Sequence, residues 1–465
     1  MKLIGSLIVL LGLTSLVLWW GPEHGGDTAL AGTMYIGFVM LGGWLTGRLF
    51  DKIRQPKISG YIVFGLLVGP SVFEIVPDAQ VHATATQVPP LHIVSSLAIA
   101  LIALTAGGEI DLSWFRGKVR AVSWIVLLHL LVLFGAVFGA VLLAKPIVPF
   151  MADQTWLTAA IIAGLCGVIM MASSPAVAVA MISDYRAEGP LSQTTLVVTV
   201  VKDLLLIVIF AGVLALSKGL VDPAEPVSSG FILAVAMQLL GSILVGGVCG
   251  AAMVWFARKV ATQLGIFLIG CCMLFALLGE QHFSVGEQDV HLEPLLIALS
   301  AGLLMRNVWP RGTERLFHSM ESMSLPVYCL FFALAGAQID VKIFASMWYI
   351  AIGLVVVRGL ATWAGLRLGM RGAGVREAWA DRMWMGMIAQ AGVSLVLVTL
   401  LVDAMPSDLA WPRPLRDTLV GAIVVNQLIG PIGFRHALFR TREASAAGRD
   451  ADSAPQPVER ISAGK

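Results

Sequence analysis

Residues 196–212 read LVVTVVKDLLLIVIFAG. Apart from Thr199, Lys202 and Asp203, every position is apolar or glycine. A hydrocarbon core about 30 Å thick needs about 20 such residues in a helix. A charged side chain at the centre of that helix costs roughly 2.5–3.5 kcal/mol even on the lenient insertion scale. A lysine and an aspartate side by side at mid-span must therefore face protein or water. Intramembrane ionisable groups of this kind mark ion or proton paths.

The rest of the chain supports a membrane reading. Its 465 residues are 58% hydrophobic and 13% charged, with a mean hydropathy of +0.86. Soluble domains carry about 25% charged residues. Long uncharged runs predict spans at 4–20, 31–49, 58–76, 91–108, 121–143, 155–182, 191–216, 230–256, 263–280, 291–306, 323–340, 347–369, 383–403 and 415–437. The fold class is thus an all-α polytopic membrane protein of about fourteen helices. Short connections leave no room for a soluble domain. The last stretch, TREASAAGRDADSAPQPVERISAGK, is small, polar and proline-bearing, and reads as a disordered tail. The first run resembles a signal peptide, with Ala29-Leu30-Ala31 as a cleavage site. That site lies about nine residues past the apolar run, so a retained helix is expected.

Several chemistries are absent from the pattern. The five cysteines lie inside spans and imply no disulfide framework. The eight histidines show no metal-ligand spacing, and there is no Walker loop, G-x-G-x-x-G or H-E-x-x-H. No enzyme, cofactor, nucleic-acid partner or resident metal is expected.

Basic residues set the orientation. With the N-terminus in the cytoplasm of a cell-membrane protein, 24 of the 31 lysines and arginines fall inside and five outside. The two left over, Lys202 and Arg358, are both at span centres. Both termini are then cytoplasmic.

The chain also repeats. TAGGEIDLSWF from Thr105 matches LAGAQIDVKIF from Leu334, pairing Gly107 with Gly336, Asp111 with Asp340 and Phe115 with Phe344. VVKDLL from Val200 matches VVNQLI from Val424, at a similar offset. On the charge map the two copies are inverted, an architecture of secondary transporters with midplane sites at broken helices. The expected organisation is an extra helix and loop at 1–30, a first repeat at 31–216, a linker helix at 217–262, a second repeat at 263–440 and the tail at 441–465. Ser173, Ser174 and Pro175 interrupt one span, since proline removes a helix donor. Gln390 lies in the equivalent MIAQAGVSL of the other copy, and Asn426 lies in VVNQLI.

RQPKISGYIVFGLLVGPSVF (54–73), LIALTAGGEIDLSWF (101–115), FFALAGAQID (331–340), RGLATW (358–363) and GMIAQAGVSL (386–395) together resemble the cation:proton antiporters. The likeness is greatest to the branch that includes potassium-efflux and sodium/proton antiporters. It covers about residues 32–438. The resemblance implies a homodimer, a dimerisation domain, and a core domain with two crossing broken helices that moves to give alternating access. It maps the ion-binding aspartate to Asp203 and the midplane basic residue to Arg358. The family commonly has Asp, Asn or Gln before that aspartate, where this chain has Lys202. Adjacent helix positions point about 100° apart, so Asp203 is expected to contact Arg358 rather than Lys202.

The expected function is exchange of a monovalent cation, sodium or potassium, for protons at Asp203. Lys202 would be protonated when the site is empty and deprotonated as the cation arrives. Glu109 and Glu280 are the next carboxylates considered. With all three groups ionised the site carries a net positive charge. That keeps open an anion or organic-solute carrier on the same scaffold, and a non-transporting membrane sensor.

Overall fold

The computed structural model describes residues 12, 14–15, 28–77, 90–109, 117–221, 229–259, 264–279, 282–285, 288–339, 341–406 and 409–444. The expected helix 4–20, the tail beyond 444, Asp111, Asp340 and Glu280 lie outside them, apart from residues 12, 14 and 15. Helices are α1 (Thr28–Lys52), α2 (Lys57–Val68), α3 (Pro90–Glu109), α4 (Val119–Leu143), α5 (Trp156–Met170), α6 (Pro175–Asp184) and α7 (Pro190–Val221). They continue with α8 (Ser229–Lys259), α9 (Leu264–Gly279), α10 (Pro294–Val308), α11 (Pro310–Ala337), α12 (Val341–Gly372), α13 (Gly392–Ala404) and α14 (Pro412–Arg440). A 3-10 helix, Ala380–Met387, precedes α13.

Helix is the form in which an apolar segment satisfies its own backbone in hydrocarbon. Proline opens α3, α6, α7, α10, α11 and α14, where its missing N–H costs nothing. Six stretches among the described residues are long and apolar enough to cross a membrane, and six shorter apolar helices accompany them. The interruptions expected in the sixth and thirteenth spans are real: α5 and α6 are separate helices, as are the 3-10 helix and α13.

Three features differ from the sequence reading. α11 starts at Pro310, well before the expected 323, because the helix continues through the charged stretch that hydropathy excludes. α12 runs from Val341, with a kink at Met347 (φ −127°, ψ 18°), the position where the apolar run had suggested a start. A short antiparallel hairpin, β1 (His282–Val285) with β2 (Gln288–His291), joins α9 to α10. Its four-residue strands alternate too briefly to signal themselves in sequence.

The packing repeats itself. α2 lies on α11 as α10 lies on α3; α1 lies on α11 as α9 lies on α3; α4 and α12 lie on each other. α7 meets α5 as α14 meets the 3-10 helix. This is the arrangement two inverted repeats require. Its closest approaches are made at glycines. A Cβ on Gly107 would collide with the Leu299 carbonyl and one on Gly302 with the Leu104 carbonyl. In the other copy, Gly336 faces the Ile62 carbonyl and Gly65 the Ala333 carbonyl. Gly107 and Gly336 are the matched glycines of the sequence repeat. Small residues let membrane helices approach this closely.

Two bodies result. α1–α3 pack with α8–α11, and α4–α7 pack with α12, the 3-10 helix, α13 and α14. They meet mainly where α6 touches α3, α2 touches α14 and α7 touches α8.

Candidate functional site

The site is built where two broken spans cross. α5 ends at Met170, residues 172–174 belong to no helix, and Pro175 opens α6. The Ser174 side chain caps α6, accepting from the Val177 N–H at 3.2 Å. On the opposite side the 3-10 helix ends at Met387 and α13 begins at Gly392. The breaks are pinned together by two hydrogen bonds. The Ser174 N–H donates to the Ala389 carbonyl at 2.8 Å, and the Ser173 hydroxyl donates to the Met387 carbonyl at 2.8 Å.

A helix end leaves its last carbonyls without partners. Arg358, on α12, supplies donors to both ends at once. Its Nε donates to Met170 (2.9 Å), Nη1 to Ile388 (2.7 Å), and Nη2 to Ala172 (2.7 Å) and Met387 (3.2 Å). Each helix C-terminus carries roughly half a negative charge, so the guanidinium meets complementary partial charge at both. Gln390 adds a donor from Nε2 to the Ile169 carbonyl (3.3 Å), and Asn426 on α14 donates to Gln390 Oε1 (2.9 Å). Arg358, Gln390 and Asn426 are all fully buried.

Asp203 stands apart from this network. It is 6% exposed, and neither carboxylate oxygen has a hydrogen-bond partner. The Ser173 main-chain N–H faces it from outside hydrogen-bonding geometry. No ion pair within 4 Å joins it to another described residue. The expected Asp203–Arg358 contact is therefore not made: four of the five guanidinium N–H groups go to freed carbonyls of the breaks. Lys202 is fully buried and its ammonium donates to the Ser173 hydroxyl, which in turn donates to Met387. It points into the crossing and not away from it. As its helical position implies, it makes no ion pair with its neighbour Asp203.

A buried carboxylate without partners is costly unless protonated or matched by a cation. Such a group can hold either in turn. Two further groups escaped the sequence reading. Thr199, one turn before Asp203 on α7, donates to Met387 Sδ at 3.0 Å, and Met387 itself is drawn in through its carbonyl. A hydroxyl one turn from a mid-span charge was the available signal for Thr199; nothing in sequence marks a carbonyl. The Glu109 side chain lies outside the described set.

A family described as sodium/hydrogen exchanger, transmembrane, matches residues 36–440. The chain belongs to the sodium/hydrogen exchanger family. This exchanger is thus a multi-pass membrane transporter and not an enzyme. Its fold is similar to that of the sodium proton antiporter MjNhaP1 from Methanocaldococcus jannaschii. The structure at pH 8 gives a TM-score of 0.64 at 16% identity, covering 89% of this chain and 99% of the other. An electron-microscopy structure of the same antiporter gives 0.66 at 15% identity, covering 91% and 98%. The exchanger is also 30% identical over 107 residues to K(+)/H(+) antiporter 1 of Saccharomyces cerevisiae, a stretch covering 23% of this chain and only 12% of that relative.

Proposed function

We propose that this exchanger is a secondary active transporter that trades a monovalent cation, sodium or potassium, for protons. The observation that carries the reading is Asp203, buried beside the crossing with both oxygens free. One carboxylate that holds either a proton or a cation, never both, makes their movements obligatorily opposite. The second body, α4–α7 with α12–α14, would carry the site past the first to give alternating access. Family membership and the fold of a sodium proton antiporter support this reading.

Lys202 supplies an internal cation. Its ammonium occupies the crossing through Ser173 when no cation is bound. Loss of its proton on cation arrival would lower the positive charge that opposes loading. Arg358 acts as the fixed charge that holds the crossing together. By the charge map both termini face the cytoplasm, and by resemblance the protein is a homodimer in the cell membrane. A reporter fused after Phe439 should give a cytoplasmic signal.

The test is cation-dependent collapse of a pH gradient in proteoliposomes, run with sodium, potassium and lithium. Asp203→Asn keeps the side-chain volume but cannot titrate or carry charge. It should insert normally and lose exchange. Exchange retained in this variant would place the carrier carboxylate elsewhere. Anion uptake without cation exchange would favour the alternative carrier class.

A further inference from the structure

α8 is the least enclosed of the six long apolar stretches, 28% buried over its span Met237–Lys259. In a protein that spans the membrane, such a helix leaves most of its surface to lipid or to another chain. Where it ends, beside the C-terminal turn of α10, there is a cleft of about 450 Å³. Pockets for small ligands run from about 300 to 1,000 Å³. The apolar walls are Ala251, Val254 and Trp255 of α8 and Leu304 and Val308 of α10. The rest of the lining is cationic: Arg258 and Lys259, the last two residues of α8.

Aromatic faces, and not carboxylates, hold these two cations in place. The Arg258 guanidinium carbon lies 5.6 Å from the centre of the Trp309 ring, and its Nη2 donates to the Val308 carbonyl at 3.5 Å. The Lys259 ammonium lies 4.5 Å from the centre of the Trp255 ring. No ion pair joins either to a carboxylate among the described residues. Cations also sit on tryptophan elsewhere, but with other partners: Lys145, on Trp156, donates to the Ala152 carbonyl, and Arg367, on Trp363, pairs with Asp381. On α8, positions 251, 254, 255, 258 and 259 recur at the three-and-four spacing that shares one helix face. Along that stripe apolar side chains give way to cations over about 12 Å, at 1.5 Å per residue. Tryptophan is enriched at membrane–water interfaces, and Trp255 and Trp309 stand at this change of polarity.

We propose that this cleft binds one anionic phospholipid, with its phosphate between Arg258 and Lys259 and an acyl chain in the groove between α8 and α10. The order of polarity along α8 is that of the lipid, apolar toward the middle of the span and charged at its end. Basic pockets between membrane helices suit anionic headgroups. A zwitterionic headgroup brings a cation of its own to a site that already has two. Free phosphate would meet the cations but leave the apolar groove unused. The competing occupant is a second copy of this chain, and the test separates the two. The inference needs only the membrane fold and does not rest on the exchange reading. Both helices belong to the first body, so binding rather than exchange rate is the quantity to measure.

The experiment titrates the full chain, purified in a neutral detergent, with dioleoyl phosphatidylglycerol, dioleoyl phosphatidylcholine or inorganic phosphate. The rise in thermal midpoint, read against each variant's own lipid-free value, gives the half-saturating concentration. Phosphatidylglycerol should raise the midpoint saturably; phosphatidylcholine and phosphate should not. Arg258→Gln and Lys259→Gln should each raise the half-saturating concentration about fivefold, the contribution of one basic residue at an anionic headgroup. The double variant should raise it about 25-fold if the two act independently. Ala251→Leu narrows the apolar end without touching either cation, and should also weaken binding. Arg371→Gln, which removes an exposed cation from the end of α12, should titrate as wild type. Equal responses to phosphatidylglycerol and phosphatidylcholine, or to phosphatidylglycerol and phosphate, would overturn the proposal. So would wild-type titration in the double variant, or an effect of Arg371→Gln as large as that of Arg258→Gln. A lipid-independent shift toward monomer in the double variant, seen by light scattering, would give the cleft to a second copy of the chain instead.

Discussion

Arg358 and Lys202 are both buried cations at mid-span, and the crossing uses them differently. Arg358 has four short contacts, all to main-chain carbonyls at the two helix breaks. Lys202 has one, to a serine hydroxyl. A planar guanidinium fork can span several carbonyls, whereas an ammonium is a compact point charge. Arg358→Ala would leave the carbonyls of Met170, Ala172, Met387 and Ile388 short of donors, a loss expected at roughly 3–5 kcal/mol. Arg358→Lys should recover only part of it. The thermal midpoint in detergent measures both. If Arg358 acted chiefly as a charge for Asp203, the lysine variant would match wild type in stability. Both cations were legible in the sequence, because charge is too costly in an apolar span to be incidental. Their partners were not. Arg358 is paired with backbone atoms exposed only once the helices break, and backbone atoms have no residue type.

At the scale of elements, the breaks were readable from Pro175, its flanking serines and the repeat, whereas helix ends were not. Hydropathy reports where lipid begins, and α11 continues past that point. The most consequential end is the start of α7, the helix carrying Lys202 and Asp203. Glu443, just beyond α14, accepts from the Leu191 N–H (2.7 Å), the Ser192 N–H (2.8 Å) and the Ser192 hydroxyl (2.6 Å). A carboxylate on free N–H groups at a helix N-terminus is favoured both by the dipole and by charge-assisted bonding. Gly189 lies so near that a Cβ there would strike the Glu443 side chain. Deleting residues 445–465 should therefore leave stability and transport intact, while deletion from 441, or Glu443→Ala, should cost about 1–3 kcal/mol. Equal thermal midpoints for the two truncations would show that the clamp on α7 is dispensable.

At the scale of the molecule, two bodies and their reciprocal packing follow from a repeat that the sequence shows only in short matches. The matched glycines survive because a side chain there would strike a neighbouring carbonyl; most other contacts are apolar and tolerate substitution of one hydrocarbon for another. What holds the bodies in their present relation is more specific. Lys57, at the start of α2 in the first body, pairs with Asp184, at the end of α6 in the second, at 3.0 Å. Their side chains are 21% and 14% exposed. Under the proposed movement of one body past the other, the pair breaks in at least one state, so it would favour the conformation described here. A partly solvated pair is worth about 1 kcal/mol or less, which limits the bias to about fivefold. Asp184→Asn and Lys57→Gln should each shift the apparent KM for the transported cation by up to about that factor, more at low salt than at high. The exchanged pair, Lys57→Asp with Asp184→Lys, should return it toward wild type. Single variants indistinguishable from wild type, or an exchanged pair no better than the singles, would mean that the two bodies move without regard to this contact.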